Sequence, residues 1–301
     1  KSYYPLEFIV AVINNFGGFY KTSIYFNEAR RWGAQIELPC VNRSVQMTSI
    51  SEKTIFIGFI HVQELEHRVV KNIVTARSTG GEFRSLSDFV HRVDTGIQQL
   101  RILIRIGALR FTEKSKVDLL WEAHMLLDGK KKPDYTHAVL FEPEERQFKL
   151  PKLLTSALED AYDEIELLGF PVSLSWFDLL QTRFRGEIVA RNLLQYVGKV
   201  VKLVGLLVTV KYVWTVKKEV MHFGTFLDHK GNFLDTVHFP DCLKQYPFTG
   251  DGVYLIQGKV VEEFGHPSIE VQKMARLPLQ PDPRNEKQRH AAVSAKPAER
   301  G

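Results

Sequence analysis

Residues 215–240, TVKKEVMHFGTFLDHKGNFLDTVHFP, decide how the C-terminal third of this chain is read. Apolar and polar residues alternate through Val220–Leu227, break at Lys230-Gly231-Asn232, and alternate again over Phe233–Phe239. A period of two on both sides of a glycine turn predicts a β-hairpin. Further strands are predicted before it, over Val200–Val216, and after it, over Val253–Glu263 and Ser268–Leu277, with a turn at Gly265-His266-Pro267. A gap long enough for a helix lies only between the third and fourth strands. Five short strands in residues 198–277 fit an OB-fold, a small Greek-key barrel that binds single strands or oligosaccharides. An SH3-like barrel satisfies the same pattern, and the pattern alone does not choose between them.

Upstream the period changes. Helices are predicted over Phe8–Asn14 and Ile24–Trp32, separated by Phe16-Gly17-Gly18-Phe19. Leu65, Val69, Val70, Ile73 and Val74 give Gln63–Ala76 a helical stripe, stopped by Gly80-Gly81. Ser85, with Asp88 three residues on, is an N-cap candidate, and a short helix over Leu100–Ile106 closes at Gly107. Lys114–Leu127 and Leu153–Leu168 complete the helical part, around a charged, proline-bearing segment from Gly129 to about Pro151. The predicted fold class is therefore α+β and multidomain, helical in its first two thirds with a β-barrel behind.

Composition narrows the function classes. The chain has 301 residues, 44% hydrophobic and 25% charged, as soluble globular domains do. No apolar run reaches the roughly 18 residues that span a bilayer, so no membrane partner is expected. Cys40 and Cys242 are the two cysteines, which excludes a disulfide framework or a cysteine-based zinc site. A reducing, cytoplasmic compartment is the expectation. A formal charge of +5 is compatible with a nucleic-acid partner without requiring one. The opening KSYYPLEF runs straight into an apolar helix without a polar lead, as the interior of a longer protein would.

Several segments, in order, resemble the C-terminal part of the bacterial DNA polymerase III alpha subunit family. KSYYPLEFIVAVINN is similar to the end of the family's fingers domain, and EARRWGAQIELPCVNRS to the segment that follows. Gly58 to Arg77, GGEFRSLSDFVHRVD and LIRIGAL resemble its helix–hairpin–helix region. ELLGFPVS is similar to the link into its OB domain, and LVGLLVTVKYVWTVKKEVMHFGTFLDHKGNFLDTVHFP with LIQGKVVEEFG to that domain itself. The resemblance implies residues 1–56 as the end of the fingers and 57–170 as a hairpin and clamp-binding region. It implies a linker over 171–197 and the OB domain over 198–277; residues 278–301, basic and without apolar period, read as a disordered tail.

The same resemblance implies partners and site residues. The family's first hairpin sets glycine backbone N–H groups against a DNA phosphate; here Glu64 and Glu66 stand in those places, and Gly96, Ile97 and Gln98 occupy the second hairpin. Carboxylates facing phosphate repel it and resist the tight turn, so this region reads as a degenerate scaffold with weakened duplex binding. The family's glutamine-led clamp peptide falls at His137, Leu140 and Phe141, which implies a sliding-clamp partner through two apolar anchors. Packing of that pair on the protein's own helices is an equal alternative. The catalytic carboxylates and their magnesium belong to the family's palm domain, so no catalytic residue, metal ligand or cofactor is assigned to this chain. The acidic face over Glu159 to Glu166 is read as solvated.

Lys199, Lys202, Lys211, Lys217 and Lys218 precede Glu219, the first acid of residues 198–277, and enter a loop that OB barrels use for nucleic acid. The expected DNA-binding residues are Lys211, Lys217 and Lys218, with either Phe223 or Phe226 stacking a base. Tyr212 and Trp214 share a parity with Val208 and Val210, which predicts a core role. The functional expectation is the DNA- and clamp-binding portion of an alpha-type polymerase engaged in template-directed synthesis. Single-stranded template, the clamp and the rest of the polymerase chain are its partners. The departures from the family pattern suggest a second, shorter alpha-type polymerase for repair or error-prone synthesis, and a fragment of the replicative subunit fits them equally. The alternative is a non-enzymatic single-strand-binding or scaffold protein built from the same modules.

Overall fold

The computed structural model describes residues 3–16, 18–128, 156–214, 216 and 218–285. The chain divides into two compact units, residues 1–34 with 174–283 and residues 35–173 with 284–301.

The first unit is built on a barrel of strands β4 (Val200–Trp214), β5 (Val220–Leu227), β6 (Phe233–His238), β7 (Val253–Glu263) and β8 (His266–Arg276). It closes in the order β4-β5-β6-β8-β7, with β6 and β8 parallel and the short helix α8 (Pro240–Gln245) between the third and fourth strands. That order is the OB arrangement, and it settles the choice the sequence pattern left open. Leu203, Phe226, Leu234, Tyr254, Ile256 and Ile269 fill the barrel. Gly205 and Gly224 flank the Phe226 side chain: an added Cβ would stand 2.9 Å from Phe226 Cβ at Gly205 and 2.9 Å from its ring at Gly224. Two helices, α1 (Pro5–Asn14) and α2 (Thr22–Arg31), belong to this unit. Ile24 packs on Val208 and Leu227, and Tyr20 lies 6.1 Å from the Phe233 ring.

The barrel corrects two readings. Tyr212 and Trp214 are 66% and 70% exposed rather than buried. β4 pairs with β7 only as far as Leu206, and a bulge between Leu207 and Thr209 shifts its register against β5. Beyond that point β4 and β5 continue as a ribbon past the barrel mouth, with no opposite wall to bury either ring. Residues 278–285, expected to be disordered, are ordered: Leu279 bridges Leu180, and the Gln280 N–H donates to Leu179 O at 2.7 Å.

The second unit holds a small sheet of β1 (Gln35–Glu37), β2 (Ser49–Ser51) and β3 (Thr54–Phe56), in the order β1-β3-β2. Its helices are α3 (His67–Gly80), α4 (Leu86–Arg92), α5 (Ile97–Arg105), α6 (Lys116–Asp128) and α7 (Ala157–Leu168). Ser85 caps α4 as predicted, its hydroxyl accepting from the Asp88 N–H at 3.1 Å. α3 begins four residues later than its apolar stripe suggested, because Glu64 and Glu66 are spent in the hairpin turn.

The acidic face of α7 is only partly solvated: Glu166 is exposed, but its neighbours are not. Asp163 and Glu164 are buried. Arg105 holds Asp163 at 2.8 Å and grips both oxygens of Glu166, at 2.9 and 2.6 Å. Arg284 reaches the same two carboxylates, and Lys116 pairs with Asp160 and Asp163. The hydrogen bond from Arg105 holds the Glu166 carboxyl below its ordinary range, and the same contact raises the Arg105 guanidinium. Glu164 turns the other way: its Oε2 accepts from the N–H groups of Val172 and Ser173 at 2.6 and 2.9 Å, fixing the chain after Gly169. Asp163, buried and paired with two arginines, braces the helices where a solvated face would leave it bare.

Candidate nucleic-acid interface

The hairpin β5–β6 and the ribbon end of β4 place the predicted residues. Lys211 stands opposite Phe223, and Phe223 opposite Val237, so these three form one cross-strand row on the outside of the barrel. Phe223 is 39% exposed. Phe226, three residues on, has the opposite parity and is 0% exposed, so it is a core residue and cannot stack a base with the barrel closed. The sequence held a signal for this choice in Gly224, which shares a face with Phe226 and makes room for its ring.

Lys218 is exposed in the loop between β4 and β5 with φ +62, an uncommon conformation for a non-glycine residue. Among the described residues Lys199, Lys202, Lys211 and Lys218 make no ion pair. Lys217, and the expected clamp residues His137, Leu140 and Phe141, lie outside the described residues.

Sequence reasoning missed a groove of about 320 Å³ beside this row. Its wall is the outer face of β5 and β6, and its lip is the Phe264-Gly265 turn between β7 and β8. Phe223, Val237, Phe264 and Pro267 supply apolar lining, and Asp235 and Glu263 supply carboxylates. Asp235 Oδ1 accepts from the Thr225 hydroxyl at 2.8 Å. Its Oδ2, and the Glu263 carboxylate, have no partner among the described residues.

At the inner mouth, His222 and His238 face each other across β5 and β6. Thr236 donates its hydroxyl to Gly224 O at 2.9 Å, so the 2.8 Å contact with His238 requires the ring to donate from Nε2. His238 Nδ1 is then a buried acceptor without a donor. Burial, with the neighbouring His222, lowers the His238 pKa to about 4.

In the second unit the hairpin keeps its turn despite its sequence. Glu64 takes up φ +62. From α5, Gln99 accepts from the Glu66 N–H at 2.7 Å and donates to Glu64 O at 3.0 Å. The Glu66 N–H, one of the backbone donors of this turn, is already occupied. No group of three or more metal-ligating side chains occurs among the described residues, and none of their helices is long and apolar enough to cross a membrane.

A family model described as a helix-hairpin-helix motif matches residues 33–119. The DNA polymerase III subunit alpha of Borreliella burgdorferi is 26% identical over 284 residues, covering 88% of this chain and 24% of that protein. The subunit of the same name from Staphylococcus aureus strain Mu50 is 26% identical over 275 residues, covering 86% of this chain and 25% of that protein. Over most of its length the chain is similar to bacterial DNA polymerase III alpha subunits. It spans about a quarter of the length of these alpha subunits. An error-prone DNA polymerase of Mycobacterium bovis is 29% identical over 133 residues, 43% of this chain and 12% of that protein. Among solved structures, a single-stranded DNA binding protein from Thermus aquaticus aligns with 27% of this chain and 41% of its own, at TM-score 0.25 and 16% identity.

Proposed function

We propose that the chain is the C-terminal DNA-binding portion of an alpha-type DNA polymerase, and that its barrel guides single-stranded template during template-directed synthesis. The observation that carries this reading is the outer row in which unpaired Lys211 stands beside exposed Phe223, with Lys218 at the adjoining loop. Lysines track the phosphates, and an exposed ring accepts a base of any sequence. The occupied hairpin supports a strand preference for single over double. In this reading the catalytic carboxylates and magnesium reside in another part of the polymerase, so the chain alone does not extend a primer.

Titration of the chain with a short single strand tests the proposal. Charge reversal, Lys211→Glu with Lys218→Glu, is expected to weaken binding of every sequence and to flatten the salt dependence, by about 0.7 in log–log slope for each phosphate left without its lysine. Phe223→Ala is expected to cost about 1–3 kcal/mol and leave the slope unchanged. Preference for duplex, with no response to either change, would sink the reading.

The clamp interaction is a proposal of its own. In the family's peptide position Leu140 and Phe141 act as anchors, with His137 in the leading place. Alanine at both anchors is expected to abolish binding to a sliding clamp while leaving the thermal melt in place. A melt lowered by many degrees would assign the pair to the protein's own core.

A further inference from the structure

We infer that the groove beside Phe223 reads the Watson–Crick edge of one stacked base, and that it favours guanine and disfavours thymine. This rests on the reading that the outer face carries single-stranded DNA. The groove is apolar where a ring would lie, against Phe223, Val237 and Pro267 with Phe264 at the lip. Its polar groups include Asp235 and Glu263, and the free oxygens of both have no partner among the described residues. A phosphate is repelled from such a place, while Lys211 and Lys218 offer it a path alongside. The base, then, is the part of the nucleotide that suits the groove.

Ionised carboxylates accept hydrogen bonds and donate none. Guanine presents two parallel donors, N1–H and the N2 amino group, which match the two oxygens of one carboxylate. Cytosine and adenine each present one amino donor beside an acceptor. Thymine presents a single N3–H between two carbonyl oxygens, and those oxygens face the carboxylates unfavourably. His266 stands opposite Glu263 across the turn without forming an ion pair, so neither side chain is tied away from the groove. Asp235 is the residue best held for the task, because Thr225 fixes its other oxygen. Both carboxylates are specificity-determining in this view, and the lysines remain the source of affinity.

The test uses the full chain and three short strands: oligo(dT), the same strand with one central guanine, and the same strand with hypoxanthine there, which lacks the amino group. The guanine strand is expected to bind about tenfold more tightly than oligo(dT). Hypoxanthine should give up most of that gain. Asp235→Asn keeps the bond from Thr225 and should erase the preference, partly by strengthening binding of oligo(dT); Glu263→Gln should reduce it. Equal binding of the three strands, or a guanine preference that survives both substitutions, overturns the inference. If affinity for oligo(dT) still falls on reversal of Lys211 and Lys218, the single-strand reading stands without it. Failure of the chain to bind any single strand overturns both.

Discussion

Asp228→Ala is expected to lower the stability of the barrel unit by about 4 kcal/mol, the largest effect of any single substitution in the β5–β6 hairpin outside its apolar core. Asp228 is buried, and its two oxygens serve different donors. Oδ1 accepts from the N–H groups of Lys230 and Asn232 at 2.9 and 2.8 Å, holding the Lys230-Gly231-Asn232 turn. Oδ2 accepts from the Ala190 N–H at 2.9 Å, tying the turn to the helical segment that enters the barrel, and the Asn232 side chain donates to both oxygens. Alanine leaves at least three backbone donors short of an acceptor, each worth about 1–3 kcal/mol when it stays buried. Water reaching the turn offsets part of that sum. Asp228→Asn should fall between, because one oxygen survives for the turn while an amide N–H meets the Ala190 N–H. Urea unfolding of the three proteins, read by the barrel's circular dichroism, checks the order. A loss under about 1 kcal/mol for alanine would mean the turn holds itself.

Acid should weaken the same unit through His238. The unfolded chain takes up a proton on His238 as pH falls through about 6.5, whereas the folded barrel resists until about 4. The unfolded state therefore binds more protons in that window, and stability falls with falling pH, by about 2 kcal/mol at pH 5 and roughly 3 kcal/mol near pH 4. Above about 6.5 both states carry neutral imidazole and the effect vanishes. Its cause is structural: Nε2 is committed to Thr236, and a proton on Nδ1 would find neither a partner nor water. His238→Gln cannot titrate and should flatten the slope between pH 7 and 5. Glu166 follows the carboxylate pattern in the other unit: its contribution is present above the ordinary carboxylate pKa and fades as pH falls below it. An unchanged slope in the glutamine variant would remove His238 from the account.

Much of the barrel was legible because strand alternation and turn glycines are local. Each predicted strand end lies within about two residues of the observed one. The bulge after Leu207 was not legible, since it inserts a residue without any particular side chain, and it misdirected the reading of Tyr212 and Trp214. The candidate site was half legible. Lys211 follows from the charge run, but strand parity left Phe223 and Phe226 as alternatives, and the groove depends on a turn some forty residues downstream folding back over β5 and β6, which nothing local announces. The acids of α7 were misread for the same reason. Arg105 and Arg284 are distant in sequence, and only the packed helices bring both to Asp163.

Gln99 has a consequence for how the hairpin would evolve or be engineered. Its amide meets one donor and one acceptor of the turn, as a captive ligand would. Glycine in place of Glu64, which sits at φ +62, would relax the backbone but leave that seat taken, so duplex affinity should rise only when Gln99 is removed as well. The two changes are coupled, and either alone gives little. A turn that carries its own occupant also keeps its shape at any ionic strength, with or without nucleic acid nearby.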